Sequence, residues 1–400
     1  MARQIAAGID IGTFETKVVI AEEVSDGRLR RQEVIGTGLA ASSGLTRGYI
    51  TDSDEVARSI KIALTQAEKM AKVKVRRAYF SVGGIGLESV TTTGFIMISR
   101  ADLEITERDL EAVMLAAETA IPHAVLINRK IINSIPVEYK IDGKPVWGRV
   151  DGLKAQKLEV KALFLTALVH HLEDIVAAAE TAGVEVIDIF AAPVAASFVT
   201  LSKKQKRAGC LLANIGAETI SLVTFENDNL LSLEVLPMGG TDLTHDIALG
   251  LKVPIEEAEN IKTNTFSRIS YSKKKLDEII SARLKHMFLA LATHLKKIGR
   301  DGLLPAGIIL TGGSSNIEGL KLFAEELLGL PAMVAEIRAG DGEKNRVRDN
   351  IWSVACGLSL VGFVTGSESG IMGPRQSLGA SSLIKRLWHR IWRLISQVLP

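Results

Sequence analysis

The chain has 400 residues, 47% hydrophobic and 24% charged, with 35 glycines and ten prolines. These proportions exclude wholesale disorder and predict two to four domains. The balance of 48 Lys+Arg against 46 Asp+Glu, a formal +2 at pH 7, makes no electrostatic case for nucleic acid.

The first residues run straight into a strand pattern and hold no apolar signal-peptide core, which argues against secretion. Residues 5–20 read strand–turn–strand: Ile5-Ala6-Ala7-Gly8-Ile9 is apolar, Asp10-Ile11-Gly12-Thr13 is turn chemistry, and Val18-Val19-Ile20 resumes the strand. Residues 31–39 read as a further strand. Asp52 opens a helix, with Asp52 and Glu55 as a capping box and Val56, Ile60, Ala63, Leu64 and Ala67 at helical spacing. Residues 78–82 form a short strand ending at Gly83-Gly84. Residues 85–162 have another texture: strands over 94–98, 130–139 and 158–165, a helix opening at Thr106, and the hairpin signal Asp142-Gly143. They read as a small inserted α/β module. The α/β rhythm then returns with a strand from Leu163, a helix over 171–182, a strand over 185–190 and a helix from Ala191.

Residues 202–207, Ser-Lys-Lys-Gln-Lys-Arg, are either a domain junction or a solvated loop. A second strand–turn–strand follows: residues 210–215, Gly216-Ala217-Glu218-Thr219, and residues 220–225. Its echo of residues 5–20 predicts a duplicated, two-lobed α/β fold. Cys210 and Cys356, the two cysteines, lie in apolar runs and read as buried thiols in a reducing cytoplasm. Residues 240–300 are helical and Lys-rich. Residues 308–315 run from a strand into Thr311-Gly312-Gly313-Ser314, with a helix over 317–328 behind. Residues 352–363 are a last apolar helix. The stretch 351–367 holds 17 residues without a charge, short of the ~20 that cross a bilayer.

Residues 365–380 read as a Gly/Ser-rich linker and 381–400 as a separate amphipathic helix. At ~100° per residue, Leu383, Ile384, Leu387, Trp388, Ile391, Trp392 and Ile395 belong to its apolar side. Lys385, Arg386, Arg390 and Arg393 lie opposite, and the segment contains no acid. Without those four cations the body holds 44 Lys+Arg against 46 Asp+Glu, so the excess positive charge sits at one end. Two Trp opposite a cationic face is the composition of an in-plane helix on anionic lipid. A helix docked on the protein's own core and a calmodulin-like docking peptide are the competing readings.

Each turn alone reads as a plain tight turn or a glycine helix cap, but their order and duplication together suggest a phosphate site. A glycine at each hairpin tip lets backbone approach a phosphate, whose oxygens the N–H groups and the Thr13 or Thr219 hydroxyl can bind. Asp10 could hold hydrated Mg²⁺, and Lys17 could supply a point charge. Gly239-Gly240 and Gly312-Gly313-Ser314 add two places where backbone can meet a ligand.

With these motifs the chain resembles the actin/chaperone/sugar-kinase ATPase superfamily and, within it, the FtsA family of bacterial cell-division actins. Residues 8–18 match the first phosphate segment, 211–224 the second and 307–320 the adenosine segment. The connecting helices begin near Ala192 and Ser353, and residues 91–162 match the division-specific insert. The resemblance implies an actin-like two-lobed fold. Residues 1–84 and 163–202, with part of 340–364, form the first lobe, and 85–162 the insert. Residues 203–228 and 306–339 form the second-lobe core, and 229–305 its helical subdomain. It implies ATP and Mg²⁺ in the interlobe cleft, with Asp10, Gly12, Thr13 and Lys17 at the first hairpin and Asn214, Gly216 and Thr219 at the second. Gly239 and Gly240 match the nucleotide-touching glycine pair, Glu259 and Lys262 the adenosine-facing pair, and Gly312, Gly313 and Ser314 the adenosine loop. From spacing alone, Glu259 and Lys262 are equally a solvated ion pair.

The resemblance further implies self-assembly into filaments and docking of the FtsZ C-terminal peptide on residues 229–305, with Arg283 as a contact. It implies other division proteins at residues 85–162, anionic membrane lipids at the tail, and a place on the inner face of the cytoplasmic membrane at the division site. Three departures stand out. Asn214 replaces the usual Asp, Glu218 brings a carboxylate to the second hairpin, and Phe14 adds bulk to the first. They predict ATP binding with slow or absent hydrolysis. An ATP-hydrolysing protein of pilus or other membrane assembly is the second reading.

Overall fold

The computed structural model describes residues 4–25, 30–265, 269–337 and 347–366. Strand β1 (Ile5–Ile11) pairs antiparallel with β2 (Glu15–Ser25), and β2 with β3 (Arg30–Ala41). Ile9, Val18, Val19 and Ile20 are fully buried, because helices cover both faces of this sheet and apolar side chains are needed on each. A two-residue turn joins β4 (Leu45–Thr46) to β5 (Tyr49–Ile50). Helix α1 (Ser53–Ala71) is capped as its sequence requires: the Asp54 and Glu55 N–H groups donate to Asp52 Oδ1 at 3.0 Å. The Asp52 N–H itself goes to the Gly44 carbonyl, taking the place of the reciprocal bond expected of Glu55. The predicted stripe from Val56 to Ala67 is the buried face. Strand β6 (Arg77–Val82) lies parallel to β1.

The chain then leaves for an antiparallel sheet of its own. It contains β7 (Glu88–Met97), helix α2 (Glu107–Thr119), β8 (Arg129–Ile141), β9 (Lys144–Val146) and β10 (Lys157–Leu168), in strand order β7-β10-β8-β9. Asp142 and Gly143 take φ of 49° and 80°, the left-handed pair that a two-residue hairpin needs. Val113, Met114 and Ala117 of α2 pack with Val160, Ala162 and Phe164 in a core separate from the lobes'.

Helix α3 (Val169–Thr181) and β11 (Glu185–Ala191) return to the first sheet, where β11 runs parallel to β6. Helix α4 (Ala192–Thr200) leads to α5 (Lys203–Ala208). The stretch read as junction or solvated loop is thus a helical turn. Ser202 and Gln205 cap each other, and Lys206 is buried between the rings of Phe198 and Phe225 at 5.3 and 5.1 Å.

The second sheet holds β12 (Cys210–Ile215), β13 (Ile220–Glu226) and β14 (Asn229–Leu236). Residues 229–236, read as the start of the helical stretch, form β14 because Asn227 and Asp228 adopt φ of 53° and 65° and turn the chain back on β13. Helices α6 (Gly240–Leu251), α7 (Ile255–Lys262) and α8 (Lys273–Lys297) come next. Then follow β15 (Ile308–Thr311), α9 (Leu320–Leu328), β16 (Ala332–Val334) and α10 (Ser353–Gly366).

The orders β3-β2-β1-β6-β11 and β14-β13-β12-β15-β16 are one arrangement used twice. In each, three antiparallel strands are extended by two parallel ones on the side of the first strand. The echo seen in two hairpins therefore extends to two five-stranded sheets. Helices α4 and α10 cross between them so closely that a Cβ on Gly357 would lie 1.9 Å from the Ala195 carbonyl oxygen. The first two residues of the expected 365–380 linker, Thr365 and Gly366, instead end helix α10, and the rest of the linker and the tail, residues 367–400, lie outside the described residues. Among those described, no helix is long and apolar enough to cross a membrane.

Candidate functional site

The two hairpins close in the same way. The Gly12 N–H donates to the Glu15 carbonyl at 3.2 Å, and the Gly216 N–H to the Thr219 carbonyl at 2.9 Å. In register, Asp10 faces Lys17 and Asn214 faces Ser221. Both tips border one cavity of about 1050 Å³ between the lobes. Asp10, Gly12, Thr13 and Lys17 line it from the first lobe. Asn214, Gly216, Thr219, Glu259, Lys262, Gly312, Gly313 and Ser314 line it from the second. Gly239 and Gly240 do not. They seat α6 behind the second hairpin, where the Gly240 N–H donates to the Gly216 carbonyl at 2.9 Å. A Cβ on Gly240 would lie 2.2 Å from Ser314 Oγ.

Burial pushes the Asp10 carboxyl above its ordinary pKa, opposed by the charge of Lys17 and a hydrogen bond from Ser81. Ser81 Oγ donates to Asp10 Oδ1 at 2.8 Å and accepts from the Ile11 N–H at 3.2 Å. Lys17 is buried, with Nζ 3.4 Å from Glu15 Oε2. In the second lobe the residue equivalent to Ser81 is Thr311, whose hydroxyl instead donates to Ser353 Oγ at 3.3 Å. Asn214 Oδ1 lies 2.3 Å from where a Cβ on Gly312 would stand, and Gly312 has φ +91°, so glycine is required there on both counts.

The far end of the cavity is a polar cluster. Lys262 Nζ lies 2.7 Å from Glu259 Oε2 and donates to Thr244 Oγ1 at 2.9 Å and to the Gly240 carbonyl at 3.2 Å. The Thr244 hydroxyl lies 2.6 Å from Glu259 Oε2. The Lys262 side chain is only 10% exposed and that of Glu259 33%, so the pair is half-buried rather than fully solvated. Sequence reading missed Thr244 and Ser81. Each meets its partner through packing of separate elements, and no local spacing signals that. Phe14 is 60% exposed and stands at the cavity wall, whereas Glu218 turns out of the cavity to the Arg47 N–H. Arg283 forks onto Asp246 of α6, Nε to Oδ2 at 2.5 Å and Nη2 to Oδ1 at 2.8 Å.

These donors fit a polyphosphate with its metal. Backbone turns and the Lys17 ammonium suit phosphate oxygens, and the Asp10 carboxylate and Asn214 amide oxygen are hard donors suited to Mg²⁺. Among the described residues no group of three or more His, Cys, Asp or Glu converges, so the ion would keep mostly water and phosphate ligands.

Two copies of one sheet, each presenting a hairpin to a shared cleft, with a small α/β unit spliced into the first, define an actin-like protein with an insert. The comparisons agree. The family model described as cell division protein FtsA matches residues 211–357, and that described as the SHS2 domain inserted in FTSA matches residues 84–166. Cell division protein FtsA of Bacillus subtilis (strain 168) is 30% identical over 347 residues, covering 81% of this chain and 77% of that protein. The chain belongs to the FtsA family of cell division proteins.

In fold it is similar to a chain of the PilM-PilN type IV pilus biogenesis complex, with TM-score 0.64 and 21% identity over 89% of this chain and 98% of that one. It is also similar to MreB5 of Spiroplasma citri bound to ADP, with TM-score 0.50 and 12% identity over 92% and 98%. At these identities the likeness concerns the fold alone.

Proposed function

We propose that the chain binds ATP with Mg²⁺ in the interlobe cleft, assembles into actin-like filaments, and tethers the FtsZ ring to the inner face of the cytoplasmic membrane. The observation that carries this reading is the pair of equivalent hairpins, Asp10 to Lys17 and Asn214 to Ser221, bordering one cavity. The ADP bound to MreB5 of Spiroplasma citri supports a nucleotide as the ligand of a protein with this fold. Asp10, Gly12, Thr13, Lys17, Asn214, Gly216 and Thr219 face the phosphates, with Mg²⁺ held through water at Asp10. Glu259, Lys262, Gly312, Gly313 and Ser314 face the nucleoside. Gly239 and Gly240 act by seating the second hairpin.

Turnover is slow or absent, because Asn214 brings no second carboxylate to the metal. The 381–400 helix binds anionic lipid, and each filament gains avidity from many copies of it. The FtsZ peptide docks on the helical part of the second lobe, where Arg283 contacts it after loosening its fork on Asp246. Residues 85–162 meet other division proteins.

Co-sedimentation with anionic vesicles, with and without ATP, tests the tether by comparing the full chain with one ending at Gly379. Loss of vesicle binding with polymer retained is expected, and binding by the truncated chain would overturn it. Hydrolysis on the order of 1 s⁻¹ or faster would overturn slow turnover and favour the assembly-ATPase reading.

A further inference from the structure

One contact between the lobes is made by a residue that phosphate chemistry would not choose. Glu218 stands on the second hairpin where Phe14 stands on the first. Its Oε2 accepts a hydrogen bond of 2.5 Å from the Arg47 N–H of the first lobe. Arg47 and Gly48 are the two-residue turn between β4 and β5, with φ of 50° and 81°. A turn of this kind leaves its first central N–H outside the hairpin's own bonding, so Glu218 supplies the missing acceptor.

The turn is a firm anchor. Gly48 is seated backbone to backbone on Gly84, and a Cβ on Gly48 would come within 2.4 Å of the Gly84 Cα. Both glycines line the cavity. Beyond them, Arg129 Nη2 donates to the Gly86 carbonyl at 2.6 Å and Nη1 pairs with Glu88 at 3.2 Å. Glu218 therefore grips the first lobe at the cavity wall, beside the segment through which the chain leaves for the insert. A carboxylate accepting from backbone N–H is a charge-assisted bond, and rotation of one lobe by a few ångströms breaks it.

We infer that Glu218 and the Arg47 amide form an interlobe latch that holds the cleft shut, so that nucleotide exchange requires this bond to break. The exchange consequence rests on the nucleotide reading above, whereas the latch does not.

Two measurements on the full chain separate them. The first is release of a fluorescent ATP analogue, chased with unlabelled ATP. The second is pulsed electron paramagnetic resonance between spin labels on Lys61→Cys and Glu256→Cys, two exposed positions, with Cys210 and Cys356 buried away from the label. Glu218→Ala should speed release about fivefold or more, and should lengthen or broaden the label distance without nucleotide. Glu218→Gln, whose amide oxygen still accepts, should fall between. A Glu218→Ala distance distribution identical to that of the unsubstituted chain overturns the latch, whatever the release rate. If the unsubstituted chain fails to bind the analogue, the proposed function falls and the distance measurement alone judges the latch.

Discussion

Asp10 and Asn214 are equivalent residues, each next to last in the first strand of its sheet, and both line the same cavity. Only Asp10 brings a carboxylate, and only Asp10 is met by a strand hydroxyl, that of Ser81. A duplicated fold has therefore become chemically one-sided at its centre. On the proposed function, Asp10→Asn should weaken Mg²⁺-ATP binding about tenfold, or ~1.4 kcal/mol, and abolish its dependence on Mg²⁺. Calorimetric titration with and without the metal checks this, and unchanged Mg²⁺ dependence would remove Asp10 from the metal site.

The lobes cross at Gly357 and Ala195, where even a methyl group has no room. Gly357→Ala would better favour helix α10 in isolation, by roughly 1 kcal/mol. It must nonetheless push α4 and α10 apart. A net destabilisation of about 2–3 kcal/mol is expected, read as a lower midpoint in urea with unchanged slope. A neutral variant would show that the crossing tolerates separation.

Burial lowers the pKa of Lys206 to about 8 from 10.5. Above pH 10.5 the amine is neutral in both folded and unfolded chains and costs nothing. As pH falls towards 8 the unfolded chain takes up its proton first, so stability is lost across that window and stays lost below it. The cost at pH 7 is about 3 kcal/mol, offset in part by the two aromatic rings. Lys206→Met keeps the apolar stem and should stabilise by about 1–2 kcal/mol at pH 7. The gain should shrink towards pH 10. Thermal melts at the two pH values decide, and a gain independent of pH would contradict the account.

Ser232 Oγ lies 3.1 Å from His294 Nε2, and His294 Nδ1 lies 2.9 Å from Glu234 Oε2. This is the order of a Ser–His–carboxylate triad. Ser232 is 7% exposed, however, and does not line the cavity, while Lys297 also holds Glu234 at 3.1 Å. A fluorophosphonate probe should leave Ser232 unmodified in the folded chain, and labelling there would reveal access that the fold lacks. Burial lowers the His294 pKa from 6.5, opposed by Glu234. The unfolded chain therefore protonates first as pH falls below 6.5, and stability is lost in that direction. His294→Gln should flatten the acid side of the stability profile.

Turn chemistry and periodicity made much of this legible in advance. Asp10-Ile11-Gly12-Thr13 and the stretch from Asn214 to Thr219 announced two hairpins because glycine and alternating apolar residues act within a few positions of themselves. The Asp52 cap and the Asp142-Gly143 turn were readable for the same reason. Strand β14 was missed although Asn227-Asp228 carries a turn signal, since the Leu-rich run behind it suits helix and strand alike.

The amino-acid order by itself determined the repeated hairpins, the helices with their buried stripes, and the glycine and hydroxyl residues at the two turns. Tertiary structure alone decided that Gly12 and Gly216 line the cavity while Gly239 and Gly240 stand behind it. It also turned Glu218 to the other lobe, tied Arg283 to Asp246 and buried Lys206 between two rings. Local bonding is dictated by neighbours in sequence. The direction a side chain takes across a cleft depends on how elements some 200 residues apart pack, and close packing leaves each of them few places to go.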